Sequence, residues 1–257
     1  MTTTDMTGDA PRFRLRFVPI VITAALGAGL PVAAAIAAVL SAKLAHIPLV
    51  SGDNLRWLFV HHAFQLALAL IVIFILKYWL VPADYGLRWP RGKTYIGPAI
   101  LWSALFAVLM LVVDNWPHVV SLSKPENPGF PLTPANVWGW MIFEGVYVGP
   151  TEEIPFRALL VTYLATTMPG KLRLGRYEMN GAGVVVAAIF ALAHASSFFT
   201  HPWQEALLQQ FYAFALGVLY AYWLEKSKSI VAPIIAHNIS DGLEYALLFA
   251  WLGAPWY

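Results

Sequence analysis

Apolar residues in this chain gather into long runs separated by short polar or Pro/Gly-rich connectors. The runs lie at about Phe17 to Leu40, Leu58 to Val81, Tyr95 to Val113, Val137 to Thr167, Asn180 to Phe198, Gln204 to Leu224 and Ile230 to Leu252. In helical form roughly 20 such residues cross a hydrocarbon core about 30 Å thick, at about 1.5 Å of rise per residue. The pattern predicts an all-α fold, a polytopic transmembrane bundle of about seven helices. Connectors such as Pro125 to Pro131 cannot continue a helix and hold too little apolar surface for a domain of their own. Residues 1–257 therefore read as a single membrane domain, without an obvious internal repeat. Arg12, Arg14 and Arg16 precede the first run like a signal-peptide n-region, but the run exceeds the usual h-region length and reads as a retained anchor.

Composition agrees: 59% of residues are hydrophobic and 12% charged, against about a quarter charged in soluble domains. A net charge of +2 gives no case for nucleic acid. The absence of cysteine excludes disulfides, thiolate metal sites, a cysteine nucleophile and S-palmitoylation. Charge placement is more telling than charge total. One set of helix ends holds Arg12, Arg14, Arg16, Lys77, Arg88, Arg91, Lys93, Lys171, Arg173, Arg176, Lys226 and Lys228, and the other holds Lys43, Arg56 and Lys124. Since cytoplasmic loops keep positive charge, this predicts a cytoplasmic amino terminus and an external carboxyl terminus. A compact chain with short loops and no obvious transit or retention signal fits a bacterial inner membrane.

The remaining cation, Arg157, lies inside the fourth run, which reads Gly149-Pro150-Thr151-Glu152-Glu153-Ile154-Pro155-Phe156-Arg157. A charge at the centre of a spanning helix costs roughly 2.5–3.5 kcal/mol on insertion scales, so such residues face a protein interior and mark function. Glu153 and Arg157 are four apart and can pair. Glu152 points about 100° away with no partner in its own helix, the kind of carboxylate that takes a proton near neutral pH. Pro150 and Pro155 remove backbone hydrogen bonds and open the helix locally. The structural alternative is a buried ion-pair network that orders the bundle.

The fifth run contains Phe190 followed four residues later by His194, and the seventh contains His237, Asp241 and Glu244 on one helix face. Counting from the cytoplasmic ends, Glu152 lies roughly 22 Å deep, His194 roughly 21 Å and His237 roughly 12 Å, which tilt can reconcile. Glu144 falls one or two turns outside Glu152 and is placed to line the same cavity. His61 and His62 read as interfacial rings at the outer end of the second run, and Trp79, Trp102, Trp116, Trp138, Trp140 and Trp256 as interfacial anchors. Ser196, Ser197 and Ser240 rank low as nucleophiles, since none sits in a recognisable nucleophile turn.

Glu152-Glu153-x-x-x-Arg157, Phe190-x-x-x-His194 and His237-x-x-x-Asp241, in that order on successive helices, resemble the CAAX protease and bacteriocin-processing family of intramembrane proteases. The resemblance covers about 137–252, a core that follows amino-terminal spans at about 17–113. It implies an intramembrane endopeptidase that cuts near the end of a membrane-associated or lipidated, CAAX-like substrate, with cytosolic access. By position, Glu152 and His194 would activate water, His237 and Asp241 would hold the oxyanion or substrate carbonyl, and Glu153 with Arg157 would brace the site. The family commonly has Asn at the last motif position. An ionised Asp241 cannot donate to an oxyanion and must be protonated, orient His237, or do something else.

A metal is the mechanistic rival, with Glu152, His194 and His237 as a zinc ligand set. Against it, the histidines come from separate helices and no His-Glu-x-x-His pair exists. The metal-free reading has no cofactor, and its partners are a peptide or lipidated protein and membrane lipid. Two readings of other classes remain: a non-catalytic scaffold or bacteriocin-immunity-type membrane protein, and a proton-coupled transporter using the embedded acids as a relay. The lack of visible inverted repeats argues against common transporter designs.

Overall fold

The computed structural model describes residues 13–45, 54–125, 128–200 and 202–256. They form an all-α bundle with one small hairpin. Three long helices come first, α1 (Phe17–Leu44), α2 (Asn54–Ile75), extended by a π turn at Leu76–Leu80, and α3 (Ile96–Asp114). A short α4 (Trp116–Ser121) follows. The fourth predicted run is a single helical path of changing pitch: α5 (Pro134–Ile142), a π segment at Phe143–Tyr147, α6 (Val148–Glu153), a second π segment at Ile154–Val161, and α7 (Thr162–Thr167). After the hairpin of β1 (Lys171–Leu174) and β2 (Tyr177–Asn180) come α8 (Gly181–Ala193), a 3-10 turn at Ala195–Phe199, α9 (Trp203–Ser227) and α10 (Val231–Leu252).

Five helical stretches are long and apolar enough to cross a membrane: Phe17–Leu44, Leu55–Leu80, Ile96–Asp114, Gly181–Phe199 and Trp203–Ser227. The fourth and seventh predicted spans are helical but fall outside that set, so the count of seven is not reproduced. They are also the two that carry Glu152, Glu153, Arg157, Asp241 and Glu244. Large apolar side chains on α1, α2 and α3 point outward, among them Phe17, Ile36, Ile71, Phe74 and Leu101, as lipid-facing surface requires. The buried core centres on Phe156, Leu159, Leu160, Leu164, Val186 and Phe190. α10 packs against α3, α6 and α9, and α2 packs against α1 and the second π segment.

Local chemistry explains the element ends. Thr133 caps α5, its hydroxyl accepting from the Asn136 amide, with Pro134 in the first turn where no N–H is needed. Asn180 caps α8 by accepting from the Ala182 amide. The hairpin departs from the purely helical expectation. Its strands alternate apolar and polar residues around Gly175, which takes the positive φ of the turn.

Connections that share a set of predicted ends also touch. Phe13 donates to Lys171 at the hairpin, Lys226 to Glu178, and Ser229 to the Arg88 carbonyl. At the opposite ends Trp138 donates to Trp256 and Lys124 to Leu252. Trp79, Trp102, Trp116 and Trp138 are largely exposed, as interfacial rings should be. Trp140 differs: it stacks between Phe130 and Tyr245 inside the bundle, and Trp256 packs on Phe249.

Candidate active site

The two prolines around Glu152 leave specific carbonyls without helical partners, and other helices supply them. Pro150 has no N–H for the Val146 carbonyl four residues back. Asn238 of α10 donates to that carbonyl at 3.2 Å, and its own oxygen accepts from the Gly149 amide at 2.8 Å. Pro155 likewise leaves the Thr151 carbonyl, which accepts from Gln65 of α2 at 3.1 Å. The short α6 between the π segments is thus held from both flanks, and it carries Glu152 and Glu153 at its end. π segments of this kind recur at functional sites.

Glu153 is fully buried. Its Oε1 accepts from Arg157 Nη1 at 2.9 Å and from His237 Nδ1 at 2.7 Å. Arg157, also fully buried, lays its guanidinium over the Phe190 ring, 4.1 Å from the centroid, a geometry that offsets part of its desolvation. His237 Nε2 lies 3.1 Å from Asp241 Oδ2 and 3.8 Å from Glu152 Oε2. Asp241 also faces Ser240 Oγ at 2.8 Å, and Ser240 meets Tyr220 OH at 3.1 Å. One connected network therefore runs from Arg157 through Glu153 and His237 to Asp241, and Glu152 approaches it at His237.

His194 sits where α8 ends and the 3-10 turn begins. Its Nδ1 meets the Phe190 carbonyl at 2.9 Å, so Nδ1 carries the hydrogen and Nε2 keeps a lone pair in the neutral ring. His194, His237 and Asp241 line a cavity of about 400 Å³ together with Glu144, Glu244, Asp114 and Tyr220. Glu152 is not among its lining residues. No hydrogen bond joins Glu152 to His194 among the described residues, though His194, His237 and His62 all lie within electrostatic reach of it.

Glu152, without a partner in its own helix, finds one on α2, and this corrects an expectation about His62: its Nε2 lies 3.2 Å from Glu152 Oε1. His62 is accordingly no interfacial ring, being only 8% exposed. α2 already includes Asn54, ahead of the expected Leu58, which places His62 at least about 12 Å along the helix. The polar face of His62 and Gln65 on an apolar helix was the available signal, the same kind that marks His237 and Asp241. The serines offer little as nucleophiles. Ser197 donates to the His194 carbonyl, Ser240 is held among His237, Asp241 and Tyr220, and Ser196 faces outward.

The zinc set of Glu152, His194 and His237 fits poorly. A ligating imidazole needs one nitrogen free of other partners, whereas both ring nitrogens of His237 contact carboxylates. Among the described residues no three His, Asp or Glu side chains are gathered as a metal site.

Residues 134–243 match the type II CAAX prenyl endopeptidase Rce1-like family, which bears out the resemblance carried by the three motifs. No curated protein and no solved structure matches the chain. The matched segment holds Glu152, Glu153, Arg157, His194, His237 and Asp241, and it leaves out α1 to α4 with His62 and Gln65. The family that the segment matches is one of proteases, and the chain is an integral membrane protein.

Proposed function

We propose that this protein is an intramembrane endopeptidase that hydrolyses a peptide bond near the end of a membrane-associated or lipidated, CAAX-like substrate, with water activated by Glu152 and His194. The observation that carries this reading is the Glu152 carboxylate. One oxygen is occupied by His62, and the other faces His237 across 3.8 Å, so a single oxygen atom about 2.8 Å from each can touch both. In the proposed reaction Glu152 Oε2 takes a proton from water, and the water oxygen bonds to the scissile carbonyl carbon. The carbonyl electrons move onto its oxygen, which His237 Nε2–H stabilises by sharing the hydrogen that it otherwise gives to Asp241 Oδ2. Collapse breaks the C–N bond, and the proton passes to the leaving amine, with His194 Nε2 as the shuttle on the cavity side.

Asp241 supports this as an acceptor that orients His237, since His237 and Ser240 both direct their polar atoms at it. Glu153, paired with Arg157, fixes the other face of the ring. The amino terminus lies in the cytoplasm, the carboxyl terminus outside, and the membrane is a bacterial inner membrane. No metal takes part.

The test is cleavage of labelled peptides, prenylated and plain, by purified protein in detergent, with Glu152→Gln and a chelator as comparisons. Activity that survives the chelator and is lost in the variant supports the proposal. Loss with chelator that zinc restores makes the protein a metalloenzyme. A second reading has its own observation: Asp114, Glu144, Asp241 and Glu244 share one cavity wall, as a proton relay would. Glu144-dependent proton flux in vesicles, without peptide cleavage, would favour that transporter reading.

A further inference from the structure

α2 grips the end of α6 at two adjacent residues, and it does so from outside the segment that matches the protease family. His62 and Gln65 are three apart and share a helix face, and both are buried, at 8% and 5% exposure. Gln65 holds the Thr151 carbonyl, the group that Pro155 leaves without a helical partner. His62 acts on the next side chain. Its Nδ1 faces the Leu58 carbonyl at 2.9 Å, a pure acceptor, so Nδ1 carries hydrogen and the ring cannot turn without losing that bond. Its Nε2 is thereby aimed at Glu152 Oε1, 3.2 Å away. For Glu152 to act as the base the proton of that contact has to lie on the ring, and a hydrogen bond donated from Nε2 ties Oε1 in place.

We infer that His62, backed by Gln65, is a positioning residue for Glu152: it reserves Oε1 and leaves Oε2 as the working oxygen opposite His237. This rests on the peptidase reading and deepens it, because part of the site is then supplied by the amino-terminal helices. The physical need is specific. The terminal torsion of a glutamate is broad and roughly two-fold, so an untied carboxylate spreads over orientations that do not face the water. Misplacement by about 1 Å at a reacting group can cost of the order of 100-fold. Glu153 does not share this need, since Arg157 and His237 both hold it.

The test compares His62→Leu, which removes the contact, with His62→Gln, whose amide nitrogen reaches about as far as Nε2 and can donate to Oε1. His61→Leu serves as the control on the neighbouring ring. The expected result is a kcat about 100-fold lower in His62→Leu with KM within roughly twofold. His62→Gln should recover at least about tenfold of that loss, and His61→Leu should keep its kcat. A residue that merely packs would lower the melting temperature without a kcat against KM split and without rescue by glutamine. Normal kcat in His62→Leu, or no rescue by His62→Gln, overturns the inference. If the wild-type protein cleaves nothing, the peptidase reading fails, and melting of His62→Leu, Glu152→Ala and the double variant decides the clamp separately. Coupled effects keep it; additive effects overturn it.

Discussion

Asp241 stands where the resemblance led to an expected asparagine, and its contacts bear on what an acid can do there. It receives the Nε2 side of His237 and the hydroxyl of Ser240, so the role proposed for it is acceptance, which an asparagine side-chain carbonyl also performs. Asp241→Asn should therefore keep kcat within about tenfold of wild type, because its one carbonyl oxygen can replace Oδ2 opposite His237 while its NH2 faces the Ser240 hydroxyl, which can also accept. Asp241→Leu should lower kcat by about 100- to 1000-fold, the range seen when one electrostatic partner of an oxyanion site is lost. Steady-state kinetics on one cleaved peptide distinguishes these outcomes, and equal losses in both variants would show that the charge itself is needed. At this scale the motif residues were legible because ionisable groups stand out in apolar runs. His62 was not, because its partner lies on another helix, Glu152 being 90 positions away, and spacing within one helix cannot show that.

At the scale of elements, the helical path through Pro134–Thr167 sets the geometry of the site. The prolines announced a local opening, but the pitch change they accompany was not legible. The eight residues of Ile154–Val161 form a π segment, which rises less per residue than an α-helix. Counting them at the α rise contributed a small part of the depth by which Glu152 exceeded His237, the rest being left to helix tilt, and the two side chains approach to 3.8 Å. Close backbone contact makes that approach possible. Gly242 of α10 lies against Gly145 of the first π segment, and a Cβ at Gly242 would come within 2.7 Å of the Gly145 Cα. Backbone cannot swing aside as a side chain can, so Gly242→Ala should force α10 away from the first π segment. The expected cost is about 1–3 kcal/mol of stability, read as a lower melting temperature. Because α10 carries His237, kcat should fall as well, while Ala substitution at the open Gly97, with nothing within 4 Å of its built Cβ, should change neither.

For the whole molecule, the apolar runs made the bundle legible, since few other structures satisfy backbone polar groups in lipid. The hairpin and α4 were hidden because both are short and sit in connectors. The arrangement of ends now carries a topological prediction. Arg176 sits at the turn of the hairpin, on the side where Phe13, Lys171, Glu178 and Lys226 meet. Ser123 lies just after α4, next to Lys124, which contacts the end of α10. Both positions are exposed, and the chain contains no cysteine, so a single introduced thiol reports its own location without background. With twelve basic residues on the Arg176 side and three on the Ser123 side, the charge rule places Arg176 in the cytoplasm. A membrane-impermeant maleimide should therefore label Ser123→Cys in intact cells and Arg176→Cys only after permeabilisation. The reversed pattern would invert the orientation while keeping the bundle. Labelling of both in intact cells would mean that the path through Pro134–Thr167 does not cross the membrane, and the embedded setting of Glu152 would fall with it.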